Sequence, residues 1–85
     1  MTTSTVEVLL QRAALSAREV QVLRTWLMTD SKLVAASLLF VSMGTLNTHL
    51  LRIRAKYARL GRPATTKASL LARAIQDGHI LLDEL

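Results

Sequence analysis

The chain has 85 residues, no cysteine, two histidines and a formal charge of +5 from 11 basic and six acidic side chains. That is enough for one small domain, which buries only about 60–65% of the surface its unfolded form exposes and so gains from a partner or a second copy. It excludes a disulfide framework and a cysteine-built metal site, leaves few acids to complete a metal centre with His49 and His79, and offers no apolar run of the roughly 20 residues that cross a membrane.

The charge is unevenly placed. Residues 1–30 balance Arg12, Arg18 and Arg24 against Glu7, Glu19 and Asp30. Residues 31–76 carry Lys32, Arg52, Arg54, Lys56, Arg59, Arg62, Lys67 and Arg73 and no acid, while residues 77–85 carry Asp77, Asp83 and Glu84 and no base. An acid-free stretch of this kind is either a polyanion-binding surface or a solvated basic one. The start, MTTSTVEVLLQR, lacks the basic opening and long apolar run of a signal peptide.

One proline, three glycines and helical spacing throughout predict an all-α fold of four main helices, with an extra short helix at residues 4–14. Residues 1–14 form an N-terminal extension, 15–78 the domain and 79–85 a tail. In LSAREVQVL, Ser16 and Glu19 form a capping box, and Val20, Leu23 and Leu27 share a face with Val22 and Trp26 beside it. MTDSK ends that helix, and Ser31 caps a short one at residues 32–39. Phe40 and Val41 make a tight connection, and Ser42 caps the next helix, residues 43–60. Gly61 and Pro63 break the chain, Thr65 or Thr66 starts the last helix at residues 66–77, and Gly78 ends it. HILLDEL is left as a tail that adds one more turn against the domain.

The 43–60 helix is the informative one. Leu46, Leu50, Ile53, Tyr57 and Leu60 form a continuous core stripe. The opposite side holds Thr45, Thr48, Leu51, Arg52, Ala55 and Arg59; Asn47 and Arg54 flank one edge of the stripe, and His49 and Lys56 the other. An ordinary solvated helix mixes acids with its bases; this one has none. Short polar groups at the nose and cations along the length suit the major groove of DNA, and a short helix, tight turn and longer helix make a helix-turn-helix.

Between Leu15 and Ala74 the sequence resembles the LuxR/FixJ (GerE-type) DNA-binding domain of bacterial, especially actinobacterial, response regulators and quorum-sensing regulators. LSAREVQVL and VSMGTLNTHL carry the resemblance most specifically, and RIRAKYARLGRPATTKASLLARA continues it. The resemblance implies a four-helix domain whose third helix reads the major groove and whose fourth pairs two copies. It puts base reading at Asn47, Thr48 and Leu51 and phosphate contact at Thr45, Arg52, Lys56 and Arg59. It implies a transcription regulator, the output domain of a two-component response regulator or a stand-alone protein, working on double-stranded DNA at the bacterial nucleoid in the cytoplasm. At position 51 the family commonly has a basic or polar residue; Leu51 can touch a thymine methyl but cannot bond guanine in a bidentate way.

The last helix presents Leu70, Leu71, Ala74 and Ile75 as two adjacent apolar rows, one for the core and one for a second copy, so a homodimer that pairs firmly only on DNA is expected. The segment KLVAASLLF is apolar nearly all round, which leaves Val34 and Leu38 for a protein partner such as a polymerase subunit or another regulator. That interaction role is the alternative function. His49 and Trp26 read as packing residues, Met28 and Met43 as gap-fillers, and Ser16, Ser31 and Ser42 as caps. No arrangement suggests an enzyme, and no cofactor or metal is expected.

Overall fold

A computed structural model describes residues 12–85, which fold into four helices: α1 Ala17–Leu27, α2 Lys32–Leu39, α3 Met43–Arg59 and α4 Lys67–Gln76, followed by a 3-10 turn, Leu82–Glu84. No strand occurs among the described residues. Side-chain caps set every helix start. The Ser16 hydroxyl accepts from the Glu19 amide at 3.1 Å while the Glu19 carboxylate accepts from the Ser16 amide at 2.8 Å. Ser31 accepts from the amides of Leu33 and Val34, Ser42 from that of Thr45 and Thr66 from that of Ser69. Each cap satisfies backbone donors that the first turn leaves unpaired.

α1 is the centre of the fold. It packs against α2, α3 and α4, and α2 packs against α3. Val22, Leu23, Trp26 and Leu27 of α1 meet Ala35, Ala36 and Leu39 of α2, Leu46, Leu50, Ile53 and Tyr57 of α3, and Leu70 and Ala74 of α4. The stripe on α3 is therefore the core face its spacing predicts, with Leu60 closing it half-buried. Val20 is only half-buried, because the α1 face is centred one position further along, on Val22 and Leu23.

Residues 12–16 are not helical, and the remainder of the helix expected at 4–14 lies outside the described residues. The core runs past both expected limits of the domain: Ala13 and Ile80 are buried in it. The tail is tied down by Arg24, which pairs with Glu84 and donates to the His79 carbonyl.

Beneath α3 and α4 sits a buried polar network. Arg62 donates to Asp77 at 2.7 Å and 3.2 Å and stacks its guanidinium 5.2 Å from the centre of the Tyr57 ring. The Tyr57 hydroxyl and the Ala13 amide also reach Asp77, each at 3.3 Å. Burial first, and then the Asp77 charge, push the Tyr57 hydroxyl well above its ordinary pKa, so it stays a donor. Arg62 thus belongs to the interior and not to the basic surface that the charge distribution suggested.

No single helix among the described residues is long and apolar enough to cross a membrane; α2 and α3 reach that length only together, across a 98° bend.

Candidate nucleic-acid interface

The bend is itself the first element of the site. Three residues, 40–42, join α2 to α3, and the two axes turn by 98°. That lies within the 90–120° range of helix-turn-helix pairs. Phe40 makes the turn in the left-handed region at φ 57°, where glycine is the usual residue. Its ring is 95% exposed, so no core packing offsets the backbone strain.

α3 lies with its core stripe inward and its opposite face open. Thr45, Asn47, Thr48, Leu51, Arg52 and Arg59 are exposed; His49, Arg54, Ala55 and Lys56 are half-buried. Near the helix start, Ser42, Gly44, Thr45, Thr48, His49 and Arg52 line an open concavity. Further along, Leu51, Arg54, Ala55 and Ala58 face Pro63 and Ala64 across a shallow cleft that is almost wholly apolar.

The hydrogen bonds on this face revise the roles expected of it. The Thr48 hydroxyl donates to the Gly44 carbonyl one turn back at 3.0 Å, so it keeps an acceptor and a methyl group for a ligand but no donor. The Ser42 hydroxyl bonds that of Thr45 at 3.0 Å. Asn47 accepts from the Lys32 ammonium at 2.8 Å, so its amide oxygen is already engaged by a cation. Lys32 and Lys67 approach the face of the Trp26 ring at 5.8 Å and 3.9 Å, and Lys67 also donates to the Thr29 carbonyl. Trp26 is a buried core residue that anchors two cations, of which Lys32 also reaches Asn47 on α3.

The cations divide into two sets. Among the described residues no acid lies within ion-pair distance of Arg52, Arg54 or Arg59. Lys56 differs, which corrects the expectation that it lacks an acid: its ammonium lies 2.6 Å from the Glu19 carboxylate and donates to the Ala14 carbonyl at 3.0 Å. Burial works to raise the Glu19 pKa, but the Lys56 ammonium and the Ser16 backbone outweigh it and hold the carboxyl below its ordinary value. Lys56 is thereby a strut between α3 and the start of α1, and any phosphate must compete with Glu19 for it.

The four residues expected at a dimer contact also separate. Leu70 and Ala74 are fully buried in the chain's own core and are withdrawn from that role; Leu71 and Ile75 stay half-exposed at its edge. On α2, Leu33, Val34 and Leu38 point outward, while Ala35, Ala36 and Leu39 fill the core.

Sequence reasoning missed the Glu19–Lys56 and Arg62–Asp77 pairs, whose partners lie 37 and 15 positions apart and carry no local signal. The Thr48 bond was readable: a mid-helix threonine has the carbonyl four residues back within reach. No group of His, Asp and Glu among the described residues could hold a metal ion. Comparison with known proteins finds no match: no family model, no curated protein and no solved structure matches the chain.

Proposed function

We propose that the chain binds duplex DNA and acts as a transcription regulator, with α3 in the major groove. The observation that carries this reading is the 98° α2–α3 turn combined with an outward α3 face that carries Arg52 and Arg59, with half-buried Arg54 at its edge, none of the three having an acidic partner among the described residues. Duplex DNA is a dense line of phosphates, and a groove-bound helix needs cations along its length with small groups at its nose. Thr45, Arg52 and Arg59 contact phosphate; Asn47, Thr48 and Leu51 face the bases. The resemblance of residues 15–74 to LuxR/FixJ domains supports the same reading and its setting, a cytoplasmic output domain or stand-alone regulator. The reading requires no catalytic step and no cofactor.

A homodimer on DNA fits the half-exposed row of Leu71 and Ile75, with half-sites about one helical turn apart so that both α3 helices meet the same face of the duplex. A mobility shift of random-sequence duplex by the full chain, repeated across a salt series, tests the proposal. Binding that weakens steeply with salt supports it; absence of any shift at low salt overturns it.

The second reading is a protein-interaction module. It rests on Leu33, Val34, Leu38 and Phe40, an exposed apolar group on α2 and its turn. Loss of partner capture on Leu38→Asp, with duplex binding intact, would favour it as an additional role.

A further inference from the structure

We propose that the α3 face reads thymine by its 5-methyl group, with Leu51 as the specificity-determining residue; this rests on the DNA-binding reading above. At the middle of the outward face, Thr48, Leu51 and Ala55 follow one another at three- and four-residue spacing, so their side chains form one strip. Leu51 is 70% exposed, the most open large apolar side chain on the helix. The Thr48 hydroxyl hydrogen is turned back to the Gly44 carbonyl at 3.0 Å, leaving its methyl and an acceptor to face outward. Ala55 adds a methyl, and beyond it the cleft of Leu51, Ala55, Ala58, Pro63 and Ala64 stays apolar.

An exposed apolar strip would suit a protein partner equally well if it stood alone. It does not: Arg52 and Arg59 border it on one side and Arg54 on the other, with no acid paired to any of them among the described residues. An apolar line with two exposed arginines on one side and a half-buried one on the other matches a polyanion whose centre is apolar. The major groove offers that arrangement at one kind of base, because thymine alone carries a methyl group on the groove edge, between two phosphate strands. The strip supplies no donor to guanine O6 or N7 and no donor–acceptor pair to adenine. Asn47, at the strip's edge and bonded to Lys32, can add polar discrimination at a neighbouring pair.

The test uses the full chain and the duplexes it enriches from a random pool. Each is remade with deoxyuridine for thymidine, which removes the methyl and keeps every hydrogen-bonding group of the pair. The parent protein should bind the thymidine duplex about fourfold more tightly for each methyl in contact, and Leu51→Ala, a change at an exposed position, should erase most of that ratio. Leu51→Met, similar in volume, should keep most of it. Equal binding of thymidine and deoxyuridine duplexes by the parent, or an unchanged ratio in a folded Leu51→Ala, would overturn the inference while leaving DNA binding in place. Failure to bind any duplex would remove the functional reading and this inference with it.

Discussion

The Lys56 ammonium lies 2.6 Å from the Glu19 carboxylate, the same carboxylate that closes the capping box of α1. One acid therefore sets where the first helix begins and how far the Lys56 cation of α3 is free for any other partner. Removing it should act on both. Glu19→Gln keeps a capping side chain but releases Lys56, so non-specific duplex affinity should rise, and stability should fall by about 1 kcal/mol. Filter binding and urea melts of the same variant check the two halves; a fall in duplex affinity without unfolding would refute the release of Lys56.

The Arg62–Asp77 pair is a different kind of contact. Both side chains are almost fully buried, and the Tyr57 hydroxyl and the Ala13 amide also donate to Asp77. Removing one member leaves the other charge buried, which costs about 3–5 kcal/mol. Domains of this size hold only about 5–15 kcal/mol in total. Asp77→Asn should leave the chain largely unfolded or with a strongly reduced urea midpoint, read by circular dichroism. A midpoint within error of the parent would mean that the network contributes nothing.

Phe40 should behave in the opposite way. A left-handed backbone costs a residue with a side chain about 1–2 kcal/mol, and the exposed ring recovers little of it. Phe40→Gly should raise stability by roughly 0.5–1 kcal/mol after the extra freedom of glycine in the unfolded chain is counted. A lower urea midpoint for the glycine variant would mean that the ring packs usefully in the native state.

Stability should also fall with acid in two stages. Burial first, then the nearby arginines, hold the His79 pKa below its ordinary 6.5 against the pull of Asp77, so the neutral ring belongs to the fold. The stability it contributes is complete above pH 6.5 and is lost as pH falls through the lower folded value. Glu19, and Glu84 beside Arg24, are held below their ordinary 4.5, so their contribution is lost only under stronger acid. Thermal melts across pH 3–8 should show both declines, and His79→Gln should remove the upper one. A melting temperature that rises on acidification from pH 7 to 5 would contradict the assignment.

The architecture was legible because its signals are local. Ser16 with Glu19, Ser31 and Ser42 mark helix starts, Thr65 and Thr66 mark the last one to within a residue, and the spacing of Leu46, Leu50, Ile53 and Tyr57 sets the inner face of α3. The site was legible in outline only. Periodicity says that Arg52 and Arg59 face outward, but it says nothing about which acid reaches Lys56 or Arg62 from elsewhere in the chain. Those pairings depend on how helices dock, not on sequence separation. The same limit applied to α4, where spacing identified two apolar rows and only packing assigned Leu70 and Ala74 to the core.

The most direct measurement is the salt dependence of duplex binding by the parent chain and by Arg52→Ala/Arg59→Ala. Both arginines are exposed and unpaired with acid among the described residues, so the double variant should fold and bind more weakly, with the slope of log affinity against log salt lowered by about 2. An unchanged slope in a folded double variant, or no duplex binding by the parent at low salt, would contradict α3 as a DNA-binding helix.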